Sequence, residues 1–218
     1  MGATLLAVLP YAVGLLVSPL PAVAVAVLLM GADGRLRAGL FVLFWWLAGA
    51  VVCLLLTLAL RYSSPGARLP DGATTWLTVA LGAALVAVAL LYGWGMASRR
   101  RDRGWQPPGW LYPVGTLPVR RVGPFAAGLL LRDPLNLVLL VAAAVVLAGT
   151  GTDRRTDLLA VALLALGGTL GVAVPLVVAL GWGWSATVRM HHLRGTVIWP
   201  APAVRFWLSV GYAALLLT

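Results

Sequence analysis

The residues of this chain that could do chemistry sit where its apolar stretches are broken. Residues 128–136 read Gly-Leu-Leu-Leu-Arg132-Asp133-Pro134-Leu135-Asn136, and residues 14–21 read Gly-Leu-Leu-Val-Ser18-Pro19-Leu20-Pro21, each with apolar sequence on both sides. Proline inside a helix removes one backbone hydrogen bond and clashes with the preceding turn. In lipid the freed backbone must be satisfied by protein or by a water-filled cavity. Asp133 is the one acid that falls within a predicted span, where a charge costs on the order of 3 kcal/mol or more unless it is paired, solvated or functional. Two readings of it follow. Asp133 titrates or binds a cationic group during transport, or it caps the half-helix that starts at Pro134, the usual place of Asp before a proline at the first helical position. Its neighbour Arg132 need not pair with it, because adjacent helical side chains diverge. Ser18 is placed to cap a half-helix starting at Pro19 in the same way. Two half-helix N-termini then meet, each with free N–H groups and partial positive charge, which suits an anionic head such as carboxylate, sulfate or phosphate. The alternative is two kinks packed by their neighbours. The candidate substrate- or ion-binding residues are therefore Ser18, Pro19, Pro21, Arg132, Asp133, Pro134 and Asn136.

Other reactive residue types form no constellation. His191 and His192 are adjacent, so on a helix they point about 100° apart, and no Cys, Asp or Glu nearby completes a metal set. No metal and no cofactor is expected. Cys53, the single cysteine, lies in an apolar run and reads as a small core residue. There is no nucleophile elbow, no paired carboxylate set and no phosphate-binding loop, so ATP hydrolysis and enzymatic catalysis in general are not expected. An enzyme acting on lipid phosphates through arginines lacks a second acid or a placed histidine beside Asp133.

The elements that must position these residues are transmembrane helices. Of 218 residues 61% are hydrophobic and only 10% charged, against about 25% charged in a soluble domain. Spans of roughly 20 apolar residues fall at 3–30, 39–60, 74–97, 124–148, 158–184 and 197–217, the first and fourth carrying the breaks. The sixth is short in its truly apolar part, because Pro200, Pro202 and Arg205 lie near its start. The N-terminal run lacks a positive leader and is too long for a signal peptide, so it reads as a retained span. Every basic residue is arginine, and the net charge is +10. The arginines sit in short loops, which indicates orientation and anionic lipid rather than nucleic acid. Loops one, three and five are the richer in arginine, with Arg205 counted in the fifth. They are expected on the cytoplasmic side of a bacterial plasma membrane, with both termini outside.

Pro19-Leu20-Pro21 aligns with Pro134-Leu135-Asn136, and Leu47-Ala48-Gly49-Ala50 aligns with Leu166-Gly167-Gly168-Thr169 in the next span. Three spans per half, entering from opposite sides, make an inverted repeat, and paired interruptions of this kind point to a transport site. The expected fold is thus an all-α integral membrane protein of six helices in two inverted three-helix repeats, 1–97 and 124–218, one membrane domain overall. The linker 98–123 holds four prolines and is not a continuous helix. Arg99, Arg100, Arg101, Arg103, Arg120 and Arg121 bracket its Trp105, Trp110 and Tyr112, which suits either a segment lying on lipid headgroups or a linker that sets orientation. Gly49, Gly167, Gly168, Gly171 and Pro175 are candidate helix-packing positions, since small residues let helices approach closely. Trp76, Trp94, Trp182, Trp184 and Trp199 read as interface anchors. Trp45 and Trp46 lie deeper, in lipid, core or a cavity wall.

Six spans with Ser18-Pro19-Leu20-Pro21 in the first and Asp133-Pro134-Leu135-Asn136 in the fourth resemble the LysE superfamily of exporters, most closely its branch of peptidoglycolipid-addressing proteins from actinobacteria. That branch shows Ser-Pro-x-Pro in the first span and an Asn-Pro-Lys-Asn-like motif in the fourth. Here Asp133 replaces the first Asn, Leu135 replaces the Lys, and Asn136 matches the last Asn, so the charge of the site differs. The resemblance implies export of a small amphipathic molecule, or help in moving a cell-envelope glycolipid, by a homodimer. The leading expectation is a secondary transporter working by alternating access around the two breaks, in contact with membrane lipids. The alternative is a non-transporting scaffold for envelope-synthesis proteins, docked through the linker and the fifth loop.

Overall fold

The structure, a computed structural model, describes residues 2–31, 33–63, 71–99, 109–150, 153–182 and 201–217. Among them every regular element is helical: α1 (Gly2–Leu16), α2 (Pro19–Leu29), α3 (Gly34–Ser63), α4 (Asp71–Arg99), a 3-10 helix (Gly109–Thr116), α5 (Val119–Arg132), α6 (Pro134–Gly149), α7 (Arg154–Trp182) and α8 (Ala201–Leu217). The breaks lie where the prolines put them. The α1–α2 pair bends by 52° and the α5–α6 pair by 79°. Two helices, α3 and α7, are long and apolar enough to cross a membrane, and each bent pair taken as one span makes four. α4 has an apolar described stretch at Val79–Gly95, and α8 is a helix of 17 residues.

The exposed surface is apolar in the way lipid requires. Leu159, Leu163, Leu166, Leu170, Val174 and Val177 form one exposed stripe down α7, and Leu43, Leu47, Val51, Leu55 and Leu58 do the same on α3. A soluble monomer does not present apolar stripes of that length. The core is centred on α6, which buries Leu135, Leu139, Leu140, Ala142, Ala143, Ala144 and Leu147 against α1, α3, α4 and α5. Cys53 is fully buried there, and Trp45 is also buried, stacked on Phe41. Trp46 donates its indole N–H to the Ala162 carbonyl at 3.4 Å. Both deep tryptophans therefore serve helix packing. Trp76 and Trp94 are exposed; Trp105, Trp184, Trp199, His191 and His192 lie outside the described residues.

The glycines of α7 receive α1. A Cβ on Gly171 would lie 1.8 Å from the Leu16 carbonyl oxygen, one on Gly168 would lie 2.7 Å from Leu15 Cβ, and one on Gly167 would lie 3.1 Å from Ala12 Cβ. The absent side chains let α7 lie against the last turn of α1, immediately before the first break. Gly49 differs: its Cβ would meet Ala165 Cβ at an ordinary 3.9 Å, so contact there does not depend on glycine. Pro175 lies inside α7.

The contacts also sort the helix ends. At one end Arg61 near the close of α3 pairs with Asp157 in the first turn of α7 at 2.5 Å and donates to the Leu147 carbonyl near the close of α6 at 3.2 Å. Asp157 is buried. Both residues were expected in loops, and both are helical. Asp153 precedes α7 and accepts from the Thr156 hydroxyl at 2.5 Å; that bond, aided by backbone N–H groups, holds its carboxyl below the usual carboxylate range. At the other end Arg37, on the first turn of α3, donates to the Gly115 carbonyl of the 3-10 helix at 3.3 Å. A Cβ on Gly31, just past α2, would lie 2.3 Å from that same oxygen. α5 follows directly from this end. The two broken helices accordingly run in opposite directions, α1–α2 towards the 3-10 helix and α5–α6 away from it.

Candidate functional site

Pro134 cannot continue α5, and Asp133 in front of it adopts extended backbone (φ −90°, ψ 104°). That conformation turns the carboxylate of Asp133 back over the start of α6, where its Oδ1 accepts from the Leu135 N–H at 3.3 Å. Asp133 is therefore the N-cap of α6, with proline at the first helical position. Ser18 occupies the same place before Pro19 but caps nothing with its side chain. Its Oγ instead accepts from Asn136 Nδ2 at 3.3 Å, across 118 residues of sequence. The expected capping by Ser18 is thus replaced by a cross-link: the hydroxyl is drawn to the other break, which satisfies a buried amide that the backbone N–H groups could not. The two breaks adjoin.

Asn136 Nδ2 also donates to Asp133 Oδ2, at 3.2 Å. The carboxylate has two further partners. Tyr92 of α4 donates its hydroxyl to Oδ1 at 3.2 Å, and Arg205 of α8 forms an ion pair with Oδ2 through Nη2. Arg205 Nη1 donates to the Tyr92 oxygen at 3.1 Å, and the guanidinium carbon lies 5.4 Å from the centre of the Tyr92 ring. Asp133 and Arg205 are each only 6% exposed. Four donors thus converge on one buried carboxylate, drawn from α4, α6 and α8.

Arg205 and Tyr92 are the residues that sequence reasoning missed. Arg205 was counted in the fifth loop because Pro200 and Pro202 precede it; it lies in helix, buried, and is the counter-ion of Asp133. The signal was present, since Arg205 is flanked by Ala203, Val204 and Phe206-Trp207-Leu208, and a charge inside an apolar stretch implies a partner. Tyr92 carries no such signal. Arg132, the last residue of α5, is exposed while Asp133 is buried, because the extended backbone at Asp133 turns its side chain away from that of Arg132. Pro21 is buried in the first turn of α2.

Beside the cluster lies a cavity of about 550 Å³, lined by Leu20, Phe125, Gly128 and Leu129 together with Arg132, Asp133 and Arg205. Its walls come from α5, the start of α2 and the start of α8, so it occupies the half between the breaks and the 3-10 helix. Two buried polar atoms of the cluster, Asn136 Oδ1 and Arg205 Nε, have no hydrogen-bond partner within the protein. Unpaired buried polar groups are costly and rare; of these two residues, Arg205 lines the cavity. No group of three or more His, Cys, Asp or Glu residues that could hold a metal occurs among the described residues. Arg120 and Arg121 are exposed at the start of α5, and Arg99 ends α4; Arg100, Arg101 and Arg103 lie outside the described residues.

No curated protein and no solved structure matches the chain. A family model does, that of Sap, the sulfolipid-1-addressing protein, over residues 8–218. The match takes in both breaks, Tyr92 and Arg205, and nearly the whole sequence, so the chain belongs to the Sap (sulfolipid-1-addressing protein) family.

Proposed function

We propose that this protein is a membrane transporter that moves an amphipathic cell-envelope lipid with an anionic head, of the sulfolipid kind its family name denotes, and that the paired breaks hold the head. The observation that carries this reading is the cavity at the breaks: a buried guanidinium with an unpaired N–H and a second arginine on its wall, beside apolar surface from Leu20, Phe125 and Leu129. Arginine matches the geometry of sulfate and phosphate oxygens. The apolar wall suits the first part of an acyl chain, and the rest can lie in the bilayer.

The movement is alternating access. The cavity occupies the half towards the 3-10 helix. The other end is drawn together by the Arg61–Asp157 pair and the bond from Arg61 to Leu147. Opening that end while closing the cavity half carries the head across, with the two proline joints as hinges. Six spans in two inverted halves, a place among the LysE-type exporters, a plasma-membrane location with both termini outside, and homodimerisation complete the reading. The opposed directions of the two bent pairs support the inversion, and the loop arginines support the orientation. The protein binds and moves its lipid without changing it chemically.

The test is translocation. The full chain is reconstituted in liposomes containing a trace of a sulfated glycolipid labelled on its acyl chain, and the label reaching the outer leaflet is quenched over time. Movement faster than in empty liposomes, and slowed at least tenfold by Arg205→Gln, is expected. No movement above the protein-free rate would remove transport and favour a scaffold that only docks partner proteins.

A further inference from the structure

We propose that Asp133 is a resident counter-ion, which the anionic head of the lipid displaces from Arg205, and that this exchange is how an arriving ligand reaches both helix joints. The inference deepens the reading above and rests on it. An arginine stays charged under all conditions a protein meets, so a buried Arg205 needs an anion whether or not ligand is bound. In this structure the anion is Asp133. Both groups line the same cavity, so an incoming head meets an attractive guanidinium already occupied by a carboxylate of its own sign. With Arg132 and Arg205 against Asp133, the charged groups on the wall sum to one net positive charge. That suits a head carrying a single negative charge.

The bonding makes exchange feasible. Asp133 holds four donors, and only one of them is Arg205. Released from it, the carboxylate keeps the Leu135 N–H and Tyr92 on Oδ1 and Asn136 on Oδ2. Arg205 gives up one oxygen and gains the oxygens of the head, for which its unpartnered Nε is free as well. The exchange also reaches the hinges. Asp133 is the joint residue of the 79° bend, and Asn136, which it holds, bonds to Ser18 at the 52° bend. A head that pulls Arg205 away from Asp133 therefore frees the joint residue of the 79° bend from α8, while the bonds of Asn136 keep the two joints linked so that they move together. When the head leaves, Asp133 re-forms the pair and the empty protein regains its closed charge balance.

The experiment is equilibrium binding, made without transport. Purified full-length protein in nanodiscs of zwitterionic lipid is titrated with a fluorescent sulfated galactosylceramide and, separately, with the same lipid lacking the sulfate. Asp133→Asn keeps the volume and, because Asn caps helices as well as Asp does, keeps the cap. Removing the competing anion should raise affinity for the sulfated lipid about tenfold, the size of one charge-assisted hydrogen bond, and leave the neutral lipid unchanged. Arg205→Gln should abolish the preference for sulfate. If Asp133→Asn lowers the sulfated affinity or leaves it unaltered, Asp133 is a structural partner and the exchange is wrong. Should that variant fail to fold, Asp133→Ser, which also caps, carries the same comparison. Tighter sulfated binding in the variant with no translocation by the parent would sink transport and leave the exchange standing; translocation with unaltered binding would do the reverse.

Discussion

Breaking the Asp133–Arg205 pair from one side should cost far more than neutralising both partners. Removing one member of a buried ion pair is destabilising by about 3–5 kcal/mol, because the other charge stays buried. Arg205→Gln leaves Asp133 with three neutral donors, from Leu135, Tyr92 and Asn136, so its cost belongs near the lower figure, about 3 kcal/mol. For chains of this length 1 kcal/mol corresponds to roughly 2–4 °C, so an apparent Tm lower by about 6–12 °C is expected. Asp133→Asn should cost less, since Arg205 faces the cavity and can turn to it. The double variant replaces the pair by two neutral amides that can bond to each other and to Tyr92, and it should recover most of the loss. The assay is thermal unfolding in detergent or nanodiscs, followed by helical circular dichroism, on all four proteins. The reasoning fails if the two single effects simply add in the double variant, because additivity means that the charges do not sense each other. It fails equally if Arg205→Gln melts with the parent, because then no uncompensated charge was left behind.

Two further perturbations separate the packing seam from the closed end. Gly171→Ala places a Cβ on the Leu16 carbonyl and should destabilise by about 1–3 kcal/mol through overpacking, whereas Gly49→Ala, with its Cβ in ordinary contact with Ala165, should melt within about 0.5 kcal/mol of the parent; equal effects in unfolding scans would show that the α1–α7 approach is not as drawn. Arg61→Gln strips the buried Asp157 of its cation and the Leu147 carbonyl of a donor, so amide hydrogen exchange should quicken in the last turn of α6 and the first turn of α7 and stay unchanged around Asp133. Exchange that quickens throughout would mean that the ion pair holds the whole bundle rather than one end.

Much of this arrangement was legible in the residues. Proline has no N–H and a fixed φ, so Pro19 and Pro134 locate both breaks to the residue, and the preference of Asp for the N-cap accounts for Asp133. The stripe of small residues at Gly167, Gly168 and Gly171 announced a close approach without saying which helix would come; the three-dimensional answer is α1. What could not be read was the partner of each buried charge. Local rules see Asp133 beside Arg132, but the extended backbone at the break turns these two apart, and the counter-ion comes from 72 residues further on. Pro200 and Pro202 disguised Arg205 as a loop residue, although Pro202 sits in the first turn of α8, where proline is tolerated. Ser18 shows the opposite case, in which a residue suited to capping gives its oxygen to the second N–H of a buried amide, that of Asn136, whose other donor bond goes to Asp133. Local propensity is overridden wherever a buried polar group must be satisfied from a distance.

The claim that the joined breaks hold the head of an anionic lipid is tested most directly by a density map of the protein in nanodiscs that contain a sulfated glycolipid. Density is expected for the head against Arg205 and Arg132, with the acyl chain running over Leu20, Phe125 and Leu129, and the Asp133 carboxylate parted from the guanidinium. A cavity without lipid density and an intact Asp133–Arg205 pair, with lipid seen only around the outer faces of α3 and α7, would contradict it.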